Sequence, residues 1–120
     1  MFDVIFFSDA NGNEPIAEYI LGLQQKSVSS KDARINFTKI IAYIDLLCEH
    51  GTQIGEPVVK HLRGNIWELR PIRNRILFAF YKDSIYILLH RFAKKTEQPP
   101  TREIEQAERN LADYIERNDR

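Results

Sequence analysis

KHLRGNIWELRPIRNRILFAFYKDSIYILLHRFAKK, residues 60–95, is the stretch whose period decides how the chain folds. Asn65–Pro71 alternates, with Ile66, Glu68 and Arg70 on one side and Trp67, Leu69 and Pro71 on the other. A period of two belongs to a strand. Arg75–Lys82 repeats it, placing Arg75, Leu77, Ala79 and Tyr81 opposite Ile76, Phe78 and Phe80. Arg73-Asn74 and Lys82-Asp83 supply tight turns, and Ser84–Phe92 completes an antiparallel meander. On this reading Glu68 and Arg70 both reach solvent while Trp67 and Leu69 pack.

Upstream, the aromatic and β-branched Phe2–Ser8 predicts another strand, placed in the interior of the sheet. Pro15 suits a first helical turn, and Ile16, Ala17, Ile20, Leu21 and Leu23 form the stripe of a short helix. After the polar QQKSVSS, Ser29 or Ser30 caps a longer helix whose stripe is Ala33, Phe37, Ile40, Ile41, Ile44 and Leu47, ending at His50-Gly51. The two helices form a hairpin. Downstream, Gln98-Pro99-Pro100 stops the sheet, and Thr101 caps a last helix along Ile104, Ala107, Leu111, Tyr114 and Ile115. The expected architecture is α+β, in the order β-α-α-β-β-β-α, with helices covering one face of an antiparallel sheet. A chain of 120 residues without a linker or internal repeat makes this one domain, 1–120.

Charge adds the functional signal. Residues 60–95 hold nine Lys/Arg against Glu68 and Asp83, a local +7, and the remaining residues carry −7, so the net charge of zero conceals a separation. Such a field suits a polyanion, RNA first among them. If Arg70 and Arg75 share a face, two guanidiniums converge there, in the geometry that holds phosphate and stabilises charge at a pentavalent phosphorus. His90, Arg91, Lys94 and Lys95 gather at the end of the last strand. A lysine among other cations has a lowered pKa and transfers protons at neutral pH, which histidine does unaided. Lys60 and His61, just before the sheet, with Arg63, Arg73 and Arg91, are candidate contacts to the RNA backbone.

Other chemistries find little here. His50, His61 and His90 lack ligand spacing, so no metal is implied. Glycine patterns for nucleotide phosphates are absent, and no cofactor is implied. The lone Cys48 forms no internal disulfide and reads as a packing residue. No segment has the length of a membrane span. The N-terminus, without a basic leader, leaves the expectation of a cytoplasmic protein. What remains is metal-free RNA cleavage, in which the 2′-hydroxyl attacks the adjacent phosphorus, or RNA binding without cleavage.

Residues 51–114, from the Gly51-Thr52-Gln53 start through Glu68-Leu69-Arg70, the Arg75 strand, Leu88-Leu89-His90 and Phe92-Ala93-Lys94-Lys95-Thr96 to Glu105, Ala107 and Tyr114, resemble the RelE/ParE toxin superfamily, in its phage-derived HigB-like branch. The resemblance implies a curved antiparallel sheet packed by an N-terminal helix hairpin and a C-terminal helix. It implies the toxin of a toxin–antitoxin module, an endoribonuclease acting on messenger RNA during translation, with a helix-turn-helix antitoxin as partner. On that basis Arg75 meets the scissile phosphate, Arg70 is a second basic residue beside it, Lys94 and Lys95 bind phosphate or transfer protons, and Lys60 touches RNA. Tyr114, in the apolar stripe, is expected in the core, which leaves the general base unassigned. Relatives in the ParE branch inhibit DNA gyrase, and an inactive antitoxin-binding remnant is a third outcome of the same resemblance.

Overall fold

The computed structural model describes residues 1–119. In chain order they form β1 (Asp3–Phe6), α1 (Pro15–Lys26), α2 (Lys31–His50), a 3-10 turn (Gly51–Ile54), β2 (Val59–Arg63), β3 (Ile66–Leu69), β4 (Asn74–Phe80), β5 (Ile85–Ala93) and α3 (Thr101–Asn118). Local chemistry sets most boundaries. Pro15 opens α1, where its missing N–H costs nothing. The Ser30 hydroxyl accepts the Ala33 N–H at 3.1 Å to start α2. Gly51, at φ 63°, ends it. Thr101 proves to be the first residue of α3 rather than its cap, since Pro100 occupies the cap position without a side-chain hydrogen bond. The β4–β5 turn has Asp83 and Ser84 both at positive φ (51° and 64°), and the Ile85 N–H donates to the Lys82 carbonyl at 2.8 Å. That geometry matches the right-handed twist of paired strands.

The sheet runs β1-β5-β4-β3-β2, and it corrects the sequence reading in four respects. A further strand, β2, pairs antiparallel with β3, so Lys60 and His61 lie within the sheet rather than before it, and the order gains one β. β1 is an edge strand, not an interior one. It pairs parallel to β5, Asp3 opposite Ile85 through Phe6 opposite Leu88, so the sheet is mixed rather than antiparallel throughout. Finally, helices cover both faces. One cluster joins Ile16, Ile20, Ile40 and Leu47 of α1 and α2 to Leu69, Ile76, Phe78, Tyr86 and Leu88. The other joins Ala107 of α3 to Ile66, Leu77, Ala79, Ile87 and Leu89.

Two covers explain why β4 is buried along almost its whole length. Each of Leu77, Phe78, Ile87 and Leu88 is fully buried, worth about 1.5–3 kcal/mol apiece relative to exposure. Tyr114 joins the second cluster, its ring 6.4 Å from Phe7 and 5.6 Å from Tyr81. No helix among the described residues is long and apolar enough to cross a membrane.

Candidate functional site

Register assigns each basic side chain to a face. Lys60 pairs with Glu68, Glu68 with Leu77, and Leu77 with His90, so these four form one row across β2 to β5. Leu69 pairs with Ile76, and one step further Arg70 comes level with Arg75, whose partner on β5 is Phe92. Both rows belong to the face that α3 partly covers, because Leu77 packs in the α3 cluster. Alternation adds Lys94, whose backbone N–H donates to the Arg73 carbonyl at 2.7 Å.

Glu68 lies at the centre of these cations. The sequence placed it in solvent; the structure leaves it 2 % exposed, because the rows of Lys60, Arg70 and Arg75 close over a residue in the middle of the sheet. Arg75 Nε is 3.8 Å from Glu68 Oε2, and Arg70 Nε is 3.3 Å from Oε1. Burial pushes the Glu68 carboxyl above the usual carboxylate range, while Arg75, Arg70, Lys60 and Lys94 pull in the opposite direction without prevailing. Burial likewise lowers Arg75, whose attraction to Glu68 only partly offsets it. Both partners thus bear the cost of taking charge out of water, as buried ion pairs commonly do.

Arg75, 6 % exposed, is also built into the backbone. Its Nη1 donates to the carbonyls of Ile72 at 3.0 Å and Asn74 at 2.8 Å. It fastens a turn in which Ile72 has φ 51°, an outlier for a β-branched residue. Arg70 is the accessible guanidinium, with a side chain 19 % exposed and Nη1 reaching Glu56 Oε1 at 3.4 Å. Its buried Nε lies close to Glu68 but off the hydrogen-bonding direction, and has no hydrogen-bond partner among the described residues. Lys94 pairs with the solvent-exposed Glu97 at 3.7 Å.

The other predicted residues go elsewhere. Arg63 pairs with Glu108 of α3 at 2.7 Å, and Arg73 with Asp32 of α2 at 3.2 Å. Arg91 turns to the opposite face, its guanidinium 3.7 Å from the Tyr19 ring and Nη1 donating to Asn74 Oδ1. His61 packs tilted against the Trp67 ring, centroids 5.0 Å apart, and bonds the Gly64 carbonyl through its ring nitrogen. His90 stays on the α3 face, where its Nε2 meets Glu103 Oε1 at 2.8 Å. Lys95 lies beyond the sheet, lining a cleft with Phe92, Pro100 and Arg102. The structure therefore brings together Lys60, Arg70, Arg75 and Lys94, and leaves Arg63, Arg73, Arg91 and His61 outside. Glu68 is the member that the sequence reading missed as part of the site; its place in the same alternation row as Arg70 was the available signal.

Larger clefts of about 570 and 480 Å³ lie beside Tyr86 and His50, and beside Tyr19 and Arg91. Neither is lined by Arg70, Arg75 or Lys94. Among the described residues no group of three His, Cys, Asp or Glu side chains could hold a metal ion.

The family described as phage-derived Gp49-like proteins matches residues 28–112, which contain α2, the whole of β2 to β5 and most of α3. The chain belongs to the phage-derived Gp49-like family. No curated protein matches it. The matched span of this Gp49-like chain includes every residue of the Glu68 cluster.

Proposed function

We propose that this Gp49-like chain is the toxin of a type II toxin–antitoxin module, a RelE/ParE-type, HigB-like endoribonuclease that cuts messenger RNA on the ribosome. The observation that carries the reading is the convergence of Lys60, Arg70, Arg75 and Lys94 around one buried carboxylate on the open end of a sheet face. A site with four cations and a single internal counter-ion is suited to the dianionic phosphorane of RNA cleavage.

In the proposed reaction the ribose 2′-hydroxyl releases its proton to solvent water as its oxygen attacks the adjacent phosphorus, and the bond to O5′ breaks. The products are a 2′,3′-cyclic phosphate and a 5′-hydroxyl. Arg70 and Lys60 hold the phosphate oxygens. Arg75, tied to Glu68 and to the 72–74 backbone, contributes its charge from beneath and keeps Arg70 aligned. Lys94, the most exposed of the four, gives the leaving oxygen its proton. His90 is engaged by Glu103 and is given no step. The cognate helix-turn-helix antitoxin neutralises the toxin in the cytoplasm by covering these cations.

The test is the chemistry of the cut ends. Message translated in a purified system with the protein should yield fragments ending in 2′,3′-cyclic phosphate and beginning with 5′-hydroxyl. Fragments with 3′-hydroxyl and 5′-phosphate ends overturn the mechanism. Intact message, together with blocked DNA supercoiling by gyrase, transfers the protein to the gyrase-inhibiting class.

A further inference from the structure

Beside the cation cluster lies a cleft of about 140 Å³ lined by Phe92, Ala93, Lys95, Pro100, Arg102 and Glu103. Phe92 is the cross-strand partner of Arg75, so its backbone runs one strand spacing, about 4.8 Å, from that of Arg75, and its side chain leaves the sheet on the same face. The ring is half-buried, and the His90 ring lies 6.0 Å from it at an interplanar angle of 31°. His90 is held in turn by Glu103. The result is an aromatic step with a fixed inner edge, an apolar wall at Pro100, two cations (Lys95 and Arg102) at the rim and one carboxylate at the back. Phosphate has no use for the aromatic wall. A nucleobase does: it stacks on an aromatic side chain and presents amino groups to an acceptor such as Glu103.

We propose that this cleft is a nucleobase slot, receiving the base attached to the phosphate held by Arg70 and Lys60, with Phe92 as its stacking surface. The inference rests on the phosphate site proposed above and adds the base-binding half of the substrate. Lys95, which the cluster does not include, belongs to this slot with Arg102, where both neutralise the neighbouring phosphate of the strand.

Three probes separate the two halves: inorganic phosphate, ribose 3-phosphate, and the four nucleoside 3′-monophosphates, each titrated into the isotope-labelled full chain and followed by backbone amide shifts. The expected result is that at least one nucleotide binds about 5-fold or more tightly than ribose 3-phosphate, with shifts at Phe92, Ala93 and Arg102. Phe92→Leu, which keeps apolar volume and so the fold, should erase that advantage and leave ribose 3-phosphate affinity unchanged. Arg70→Ala should weaken all three probe classes together. Equal affinity for ribose 3-phosphate and every nucleotide overturns the slot while leaving the phosphate site standing. Loss of ribose 3-phosphate affinity in Phe92→Leu overturns it too, since the residue would then act on the phosphate site alone. Nucleotide binding with shifts at Phe92 but no response to phosphate or ribose 3-phosphate keeps the slot and refutes the phosphate site.

Discussion

Arg75→Lys keeps the charge of the cluster and removes its geometry. In the native protein Nη1 serves two carbonyls, Ile72 at 3.0 Å and Asn74 at 2.8 Å, while Nε faces Glu68 at 3.8 Å. A lysine ammonium on a stem without the planar fork cannot reach all three. An ammonium that keeps Glu68 and one carbonyl leaves the other without this donor. Hydrogen bonds from charged donors contribute about 1.5–3 kcal/mol each, so the loss of one sets the expected destabilisation at about 1.5–3 kcal/mol. In a domain of this size each kcal/mol is worth about 4 °C, so Tm should fall by about 6–12 °C. The Ile72 turn, held at φ 51°, should loosen first, because Arg75 is the side chain that fastens it. Calorimetry reads the Tm, and hydrogen exchange reads residues 71–75. RNA cleavage should fall by about 100-fold, the cost of a small misplacement of Arg70 once the side chain that keeps it aligned is changed. A Tm within about 2 °C of wild type, with unaltered exchange at the turn, refutes the claim that Arg75 is a structural brace. Charge alone would then account for its place.

Three further outcomes follow from the same geometry. Lys94→Ala removes an exposed side chain whose ion pair with Glu97 is itself solvent-exposed, so stability should shift by less than about 0.5 kcal/mol while cleavage drops at least 10-fold, read by thermal melts beside a cleavage assay. Glu68 titrates higher folded than unfolded, so its contribution to stability is complete below the ordinary carboxylate value and is lost as pH rises through the folded value. Denaturant titrations from pH 4 upward should show that decline in wild type and not in Glu68→Gln; an identical profile in both counts against burial as the dominant cause. Gly51→Ala should cost about 2–5 kcal/mol by chemical denaturation, since its Cβ would fall 2.7 Å from the Phe2 ring and 2.9 Å from the Tyr86 hydroxyl at a φ of 63°; a loss under 1 kcal/mol would mean that the α2 terminus yields freely.

The parts of the fold legible in the sequence were those set by local period. Ile66–Leu69, Asn74–Phe80 and Ile85–Ala93 alternate as strands do, and the helical stripes of residues 15–26, 31–50 and 101–118 are equally direct. Alternation also placed Glu68 and Arg70 on one face, whereas Arg75 joined them only as a condition that the β3–β4 register decides. It cannot say what lies above that face, so Glu68 passed for a solvated residue. Val59–Arg63 carries two cations and a histidine among few apolar residues, and its strand character comes from pairing with β3. The parallel pairing of β1 with β5 joins residues some eighty positions apart and leaves no local trace. Arg63, Arg73 and Arg91 were indistinguishable from site residues by composition. Their partners, Glu108, Asp32 and Tyr19, sit on helices whose docking only the tertiary structure fixes.

The central claim is that the Glu68-centred cations form an RNA-cleaving site, and primer extension on one defined message in a purified translation system tests it most directly. Wild type is compared with the Arg70→Ala/Lys94→Ala double variant, on translated and untranslated message, after melts show both proteins folded. The account predicts new stops within the translated region for wild type and none above background for the double variant. Stops of undiminished intensity from the double variant, or none from wild type, would contradict it.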